Sequence, residues 1–247
     1  MARLVRAMFA ALLVSLAAAC GTPPGGPAGA APASRLPAQL QVERYAQAAS
    51  RGEPVYRVDT GATLVTLVVR RAGSLARLGH DHVVASRSVQ GYVAPMEGSA
   101  DLYVPLTELS VDEPALRAQA GLDTQPTASD IEGTRANMQD KVLEIARFPH
   151  ALVRVRGVGA PPLGGRPAPA AVMLDLHGTS RTLNVPLDVN TEPGALTARG
   201  TLQIRQTDFG ITPFSILGGA IQVKDEVDVR FDIRAVRMKP GDPALAP

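Results

Sequence analysis

Apolar and polar residues alternate strictly along the last third of the chain. In "EVDVRFDIR", Val227, Val229, Phe231 and Ile233 alternate with Asp228, Arg230, Asp232 and Arg234. A period of two puts successive side chains on opposite faces of a strand, so one face is buried and the other wet. The same pattern recurs upstream. "ADLYVPL" sets Leu102, Val104 and Leu106 against Asp101 and Tyr103, and "ALVRVRGV" sets Val153 and Val155 against Arg154 and Arg156. "AVMLDLHGTSRTLNVPLDV" reads as a hairpin. Val172, Leu174 and Leu176 precede a Gly-Thr-Ser turn, and Leu183, Val185, Leu187 and Val189 follow it. Leu202 and Ile204 mark a further strand. "ATLVTLVVR" differs, because Leu64, Thr66 and Val68 alternate with Val65, Leu67 and Val69, and both faces are apolar. Several antiparallel strands joined by Gly-, Pro- and Asn-bearing turns predict a barrel or sandwich.

One stretch breaks the period. Thr127 to Pro149 carries Ile131, Met138, Val142 and Ile145 near helical spacing, with Ser129 or Asp130 available as N-cap and Pro149 as a stop. "EPALRAQAG" before it suits a short helical turn. The expected fold is all-β with one inserted helix, placed to cover an end or a side of the sheet structure.

The termini have a different character. Arg3 and Arg6 precede an uncharged apolar run, Met8 to Ala19, that ends in small residues. The run is shorter than the about 20 residues a spanning helix requires, and residues 1–19 read as an export signal. The single cysteine, Cys20, follows in "SLAAAC", which resembles a bacterial lipobox. Cys20 is therefore the expected lipidation site. Gly21, rather than an aspartate, directs the expectation to an anchor in the outer membrane, facing the periplasm. Residues 20–50 begin Gly/Pro/Ala-rich and are expected to be a tether, 55–237 the barrel domain, and 238–247 a flexible tail. The chain carries 25 basic and 23 acidic side chains, and the counts are equal once Arg3 and Arg6 are removed. A balanced domain offers no electrostatic argument for nucleic acid.

The alternating blocks, taken in order, resemble the YceI-like family. "YRVDTGATLVTLVVRRAGSLARLGHDHVVASRSVQGYV" is similar to its opening strands, "NMQDKVLEIARFPHALVRV" to its helix and aromatic-Pro corner, and "LDLHGTSRTLNVPLDV" to its hairpin. "IRQTDFGI" and "VKDEVDVRFDI" resemble its closing motifs. The resemblance spans about Tyr56 to Ile233. It implies a lipocalin-like antiparallel β-barrel of about eight strands with an internal apolar tunnel. It also implies a non-enzymatic lipid binder holding a polyisoprenoid, an isoprenoid quinone or a fatty-acid derivative, and leaves a homodimer open. The residues alone fit a tunnel lining and a filled core equally, since a barrel of this strand number is near the size its own side chains can fill. The domain lacks Trp and is poor in other aromatics, so a tunnel would be aliphatic and suit a flexible chain.

Candidate chemistry centres on "LARLGHDHVV". On a strand, His80 and His82 project to the same side while Asp81 points away. One reading places the pair at the tunnel end as ligand-binding residues, with His177 as a secondary candidate, because an apolar pocket uses a few polar groups to orient its ligand. The alternative is a metal site on His80 and His82 with a third histidine, His150 or His177. No Gly-x-Ser-x-Gly elbow, Walker loop or dinucleotide fingerprint occurs in the sequence, and with Cys20 lipidated no thiol remains for catalysis. Asp208 in "TDFG" has no accompanying kinase motif and is expected in a turn, with Phe209 plugging the core.

Overall fold

The computed structural model describes residues 40–159, 168–239 and 241–242. The export signal, Cys20 and the first part of the tether lie outside the described residues, as does most of the C-terminal tail.

The barrel grows from three bent strands followed by five continuous ones. β1 (Tyr56–Val58) and β2 (Leu64–Ala72) run in line, and both pair with β12 (Ile221–Arg237). β3 (His82–Ser86) and β4 (Gln90–Ala94) form the next bent strand, pairing with β2 and β1 respectively. β5 (Ser99–Pro105) and β6 (Ser110–Val111) form the third, on β4 and β3. β7 (His150–Arg156), β8 (Ala168–Leu176), β9 (Thr179–Glu192), β10 (Ala195–Arg205) and β12 complete an antiparallel up-and-down meander. A two-residue strand, β11 (Ser215–Ile216), pairs only with β12. Register Tyr56↔Arg237 closes the ring into an eight-strand barrel, with β6 pairing on one side only among the described residues, to β3. At the bend between β1 and β2 the buried Thr63 hydroxyl accepts from Arg234 N–H (3.0 Å) and donates to Arg234 C=O (3.2 Å). It takes over two main-chain partners where the ladder is interrupted.

The alternation read from sequence is the division between inside and outside. Val227, Val229, Phe231 and Ile233 face inward, and Arg199 pairs across the outer face with Asp232 at 2.9 Å. The two apolar faces of β2 serve two cores. Val65, Leu67 and Val69 point into the barrel, whereas Leu64 and Val68 pack outside with Val83, Ala85 and Leu116 under α2 (Pro114–Gln119).

Several boundaries differ from expectation. The tether does not run to residue 50: Val42–Ser50 is a helix, α1, whose Tyr45, Ala48 and Ala49 pack with Val55, Tyr92 and Ala94. The small alanines allow close approach, and Tyr45 Oη donates to Asp101 Oδ2 at 2.9 Å. Burial, then the neighbouring Asp101, pushes the Tyr45 hydroxyl far above its ordinary pKa, so it remains a donor. Met238 belongs to the same cluster, with its N–H bonded to Val55 C=O at 2.8 Å, so the tail starts after it. The hairpin turn is His177–Gly178, not Gly-Thr-Ser. Both residues have positive φ, 52° and 74°, as a two-residue type I′ turn requires.

The inserted segment is α3 (Ala128–Asn137) followed by a π-helical turn, Met138–Val142. Its cap is Thr127, not Ser129 or Asp130. The Thr127 hydroxyl accepts from Asp130 N–H, and the Asp130 carboxylate accepts from Thr127 N–H at 2.8 Å. α3 contains no fully buried residue. Ile131, Met138, Leu143 and Ile145 lean, half-buried, on Leu106, Leu109 and Val111 at one mouth of the barrel.

Candidate functional site: an apolar cavity and a polar hub

Inward-facing residues of all eight strands leave an internal cavity of about 240 Å³. Its walls are Val, Leu, Ile and Ala with one aromatic ring, Phe231, and one polar side chain, Ser86. Leu143, from just after the π-helical turn, reaches in from the mouth. Gly200 lies opposite Phe231 across the β10–β12 ladder. A Cβ there would fall 2.5 Å from the ring and 2.9 Å from Pro186 O. The ring therefore lies flat across the neighbouring strand, where an ordinary residue at position 200 would displace it toward the cavity. The space suits an unbranched or methyl-branched chain. At about 30 Å³ for each water-sized group it holds on the order of eight such groups.

Ser86 lies on the inward face of β3, in line with Val84 and His82. It is 1 % exposed, and its hydroxyl has no hydrogen-bond partner among the described residues. Register Val65↔Ser86 and Val65↔Phe231 places it in the same layer as the Phe231 ring, near mid-height.

His80 and His82 come together at the mouth, their rings 6.2 Å apart, beneath α3. His82 belongs to a buried hub. Its Nδ1 lies 2.6 Å from Asp112 Oδ2, and Asp112 Oδ1 accepts from Val83 N–H (3.0 Å) and the Arg117 guanidinium (2.6 Å). Arg117, 4 % exposed, also donates to Asp81 C=O at 2.8 Å and to Thr124 C=O. Burial alone would raise the Asp112 carboxyl, but the bonds from His82, Val83 N–H and Arg117 outweigh it and hold the group below the usual carboxylate range. Asp112 adopts φ 56°, a left-handed conformation that the surrounding bonds keep in place. The remaining His82 atom, Nε2, faces Thr134 Oγ1 on α3 at 3.5 Å, and His80 Nε2 is 3.8 Å from Asp130.

The other histidines lie elsewhere. His177 sits in the hairpin turn, with its ring 4.3 Å from Phe148 and Nε2 3.3 Å from Glu144. His150 starts β7, against Tyr103 at 5.0 Å between ring centres. Among the described residues no three His, Cys, Asp or Glu side chains form a group able to hold a metal. The metal site on His80, His82 and a third histidine is therefore not assembled there. None of the histidines lines the cavity. Phe209 is 1 % exposed and fills the core as expected, with Gly210 at φ 72° closing its turn.

The positions that shape the cavity and the hub carry little signal in the amino-acid sequence. Ser86 had a faint signal, a serine two residues from Val84 on an apolar strand. Asp112 and Arg117 had none, since Asp112 meets His82 across thirty residues of chain.

An eight-strand antiparallel meander closed around an aliphatic interior is a lipocalin-like barrel. Residues 56–235 match the YceI-like domain, and the chain belongs to that family. Two solved structures have the same fold. One is a polyisoprenoid binding domain from Saccharophagus degradans implicated in plant cell wall breakdown. It is 17 % identical, with TM-score 0.53, over 74 % of this chain and 98 % of that one. The other is Burkholderia cenocepacia BcnA, 19 % identical with TM-score 0.50 over 72 % and 98 %. No curated protein matches the chain.

Proposed function

We propose that the protein is a non-enzymatic carrier of a long apolar chain, a polyisoprenoid, isoprenoid quinone or fatty-acid derivative, held inside the barrel. The observation that carries this reading is the 240 Å³ cavity, in which every lining side chain but Ser86 is apolar. Burial contributes about 0.8 kcal/mol per CH₂, so a segment of about eight groups gains roughly 6 kcal/mol before the costs of association. An aliphatic wall yields to a flexible chain and has no stacking surface for a flat ring beyond Phe231. The ligand reaches the cavity past α3 and the π-helical turn, neither of which contains a fully buried residue. The polyisoprenoid binding domain with the same fold supports this ligand class. We place the carrier in the bacterial envelope, exported and lipidated at Cys20 on the periplasmic side of the outer membrane, on the strength of the signal-like N-terminus. Native mass spectrometry of the purified protein tests the carrier reading. A co-purified organic mass, released on denaturation and fragmenting as an isoprenoid or acyl chain, is the expected result. A bare chain that also fails to take up added prenols or fatty alcohols would refute it.

A further inference from the structure

We infer that Ser86 is a hydrogen-bonding anchor inside the barrel, and that the ligand brings an uncharged polar group (a hydroxyl, carbonyl, ester or amide) to mid-height of the cavity. The inference rests on the carrier reading and narrows its ligand class. Three observations converge on it. Ser86 is the one polar side chain among the residues lining the cavity. It is 1 % exposed, and its Oγ has no partner among the described residues. Its surroundings are apolar, with Val65 beside it on β2 and the Phe231 ring one strand further on.

A buried hydroxyl without a partner is costly, and natural structures seldom keep one without a use. A water molecule is a poor substitute here. A buried water needs two to four polar partners, roughly three as a rule, and the lining offers one side chain. A polar group attached to a chain needs only the one partner, because burial of its hydrocarbon drives it in. Oγ lies within the wall, and rotation about Cα–Cβ to another staggered rotamer is the adjustment that would turn it toward an arriving ligand. The lining contains no charged residue, so a carboxylate or phosphate at this depth would be unpaired and is excluded by its desolvation cost. The anchor therefore selects a neutral polar group, inserted headfirst or carried within the chain.

The test compares wild type with Ser86→Ala and uses 1-heptanol and n-octane, which have the same number of heavy atoms. Both are titrated into the purified protein, with occupancy read from the NMR shifts of interior Val and Leu methyls. Wild type should bind both probes. Ser86→Ala should bind the alcohol about fivefold more weakly, the expected loss for one ordinary hydrogen bond, and keep its affinity for the alkane. The ligand-free variant should melt at or above the wild-type temperature, because an unpaired hydroxyl leaves an apolar wall. Equal loss of both probes, or unchanged alcohol affinity, would overturn the anchor while leaving the carrier reading intact. A lower melting temperature for ligand-free Ser86→Ala would also overturn it, by showing that the hydroxyl already has a partner. Failure of wild type to bind either probe would instead remove the carrier reading itself.

Discussion

The hub around Asp112 and the wall around Ser86 are about as deeply buried as each other, yet they treat polar groups in opposite ways. In the hub, Asp112 meets His82, the Val83 N–H and Arg117 within 3.0 Å, and Arg117 reaches two carbonyls besides. Charge is concentrated and matched there, and the segment leading from β6 into α2 is held on the barrel. In the wall the polar content is one hydroxyl with nothing to bond. The comparison separates two uses of a buried polar residue. A densely bonded network fixes architecture even with one atom, Arg117 Nε, left without a partner among the described residues, whereas an unsatisfied group inside an apolar space is available to a ligand.

Perturbing the hub should give the largest effect. Asp112→Ala would leave the Arg117 guanidinium buried without its carboxylate and should cost about 3–5 kcal/mol, read as a lower urea midpoint. If that variant loses less than about 1 kcal/mol, the hub is not what secures α2. Overpacking the wall comes next. Gly200→Val would drive side-chain atoms into the Phe231 ring and Pro186 O, costing roughly 1–3 kcal/mol and shrinking the cavity. A crystal structure of that variant with an unmoved ring would contradict the packing described for position 200.

A subtler effect follows from the lowered Asp112 carboxyl. A carboxylate held below its unfolded value of about 3.9 contributes stability that is fully present above that pH and lost as pH falls through the folded value. Acid unfolding of wild type should therefore be steeper below about pH 4 than that of Asp112→Asn, whose amide does not titrate. Parallel acid limbs would show that Asp112 carries no such linkage. The smallest change is expected at His80, a third exposed and 3.8 Å from Asp130. His80→Ala should shift stability by less than about 0.5 kcal/mol, since exposed pairs contribute little. A drop comparable to that of Asp112→Ala would place His80 in the hub.

The same contrast explains what could be read from the chain. The facing of the strands was legible because burial of one face imposes a period of two, as in Val227 to Arg234, and the inserted helix because it breaks that period, whereas the count of about eight strands came from the family resemblance. The boundary at α1 was not, because Val42, Tyr45 and Ala49 become an apolar face only against Tyr92 and Met238. The histidines drew attention by their chemistry, but His82 is absorbed in the hub and His177 in a tight turn. Ligand chemistry was legible only as a general aliphatic character. A cavity is what side chains fail to fill, and that depends on how Phe231 lies over Gly200 rather than on either residue type alone.

Entry of an apolar chain into this interior is the step on which the proposed carrier role rests. Its most direct test is 1-decanol binding by wild type and by Ala198→Phe, which projects a ring into the cavity from β10. Saturable one-to-one binding to wild type is expected, with at least a tenfold loss in a variant that still shows the wild-type β-sheet circular dichroism. Equal binding by both folded proteins would contradict such entry, because the chain would then be held somewhere other than inside the barrel.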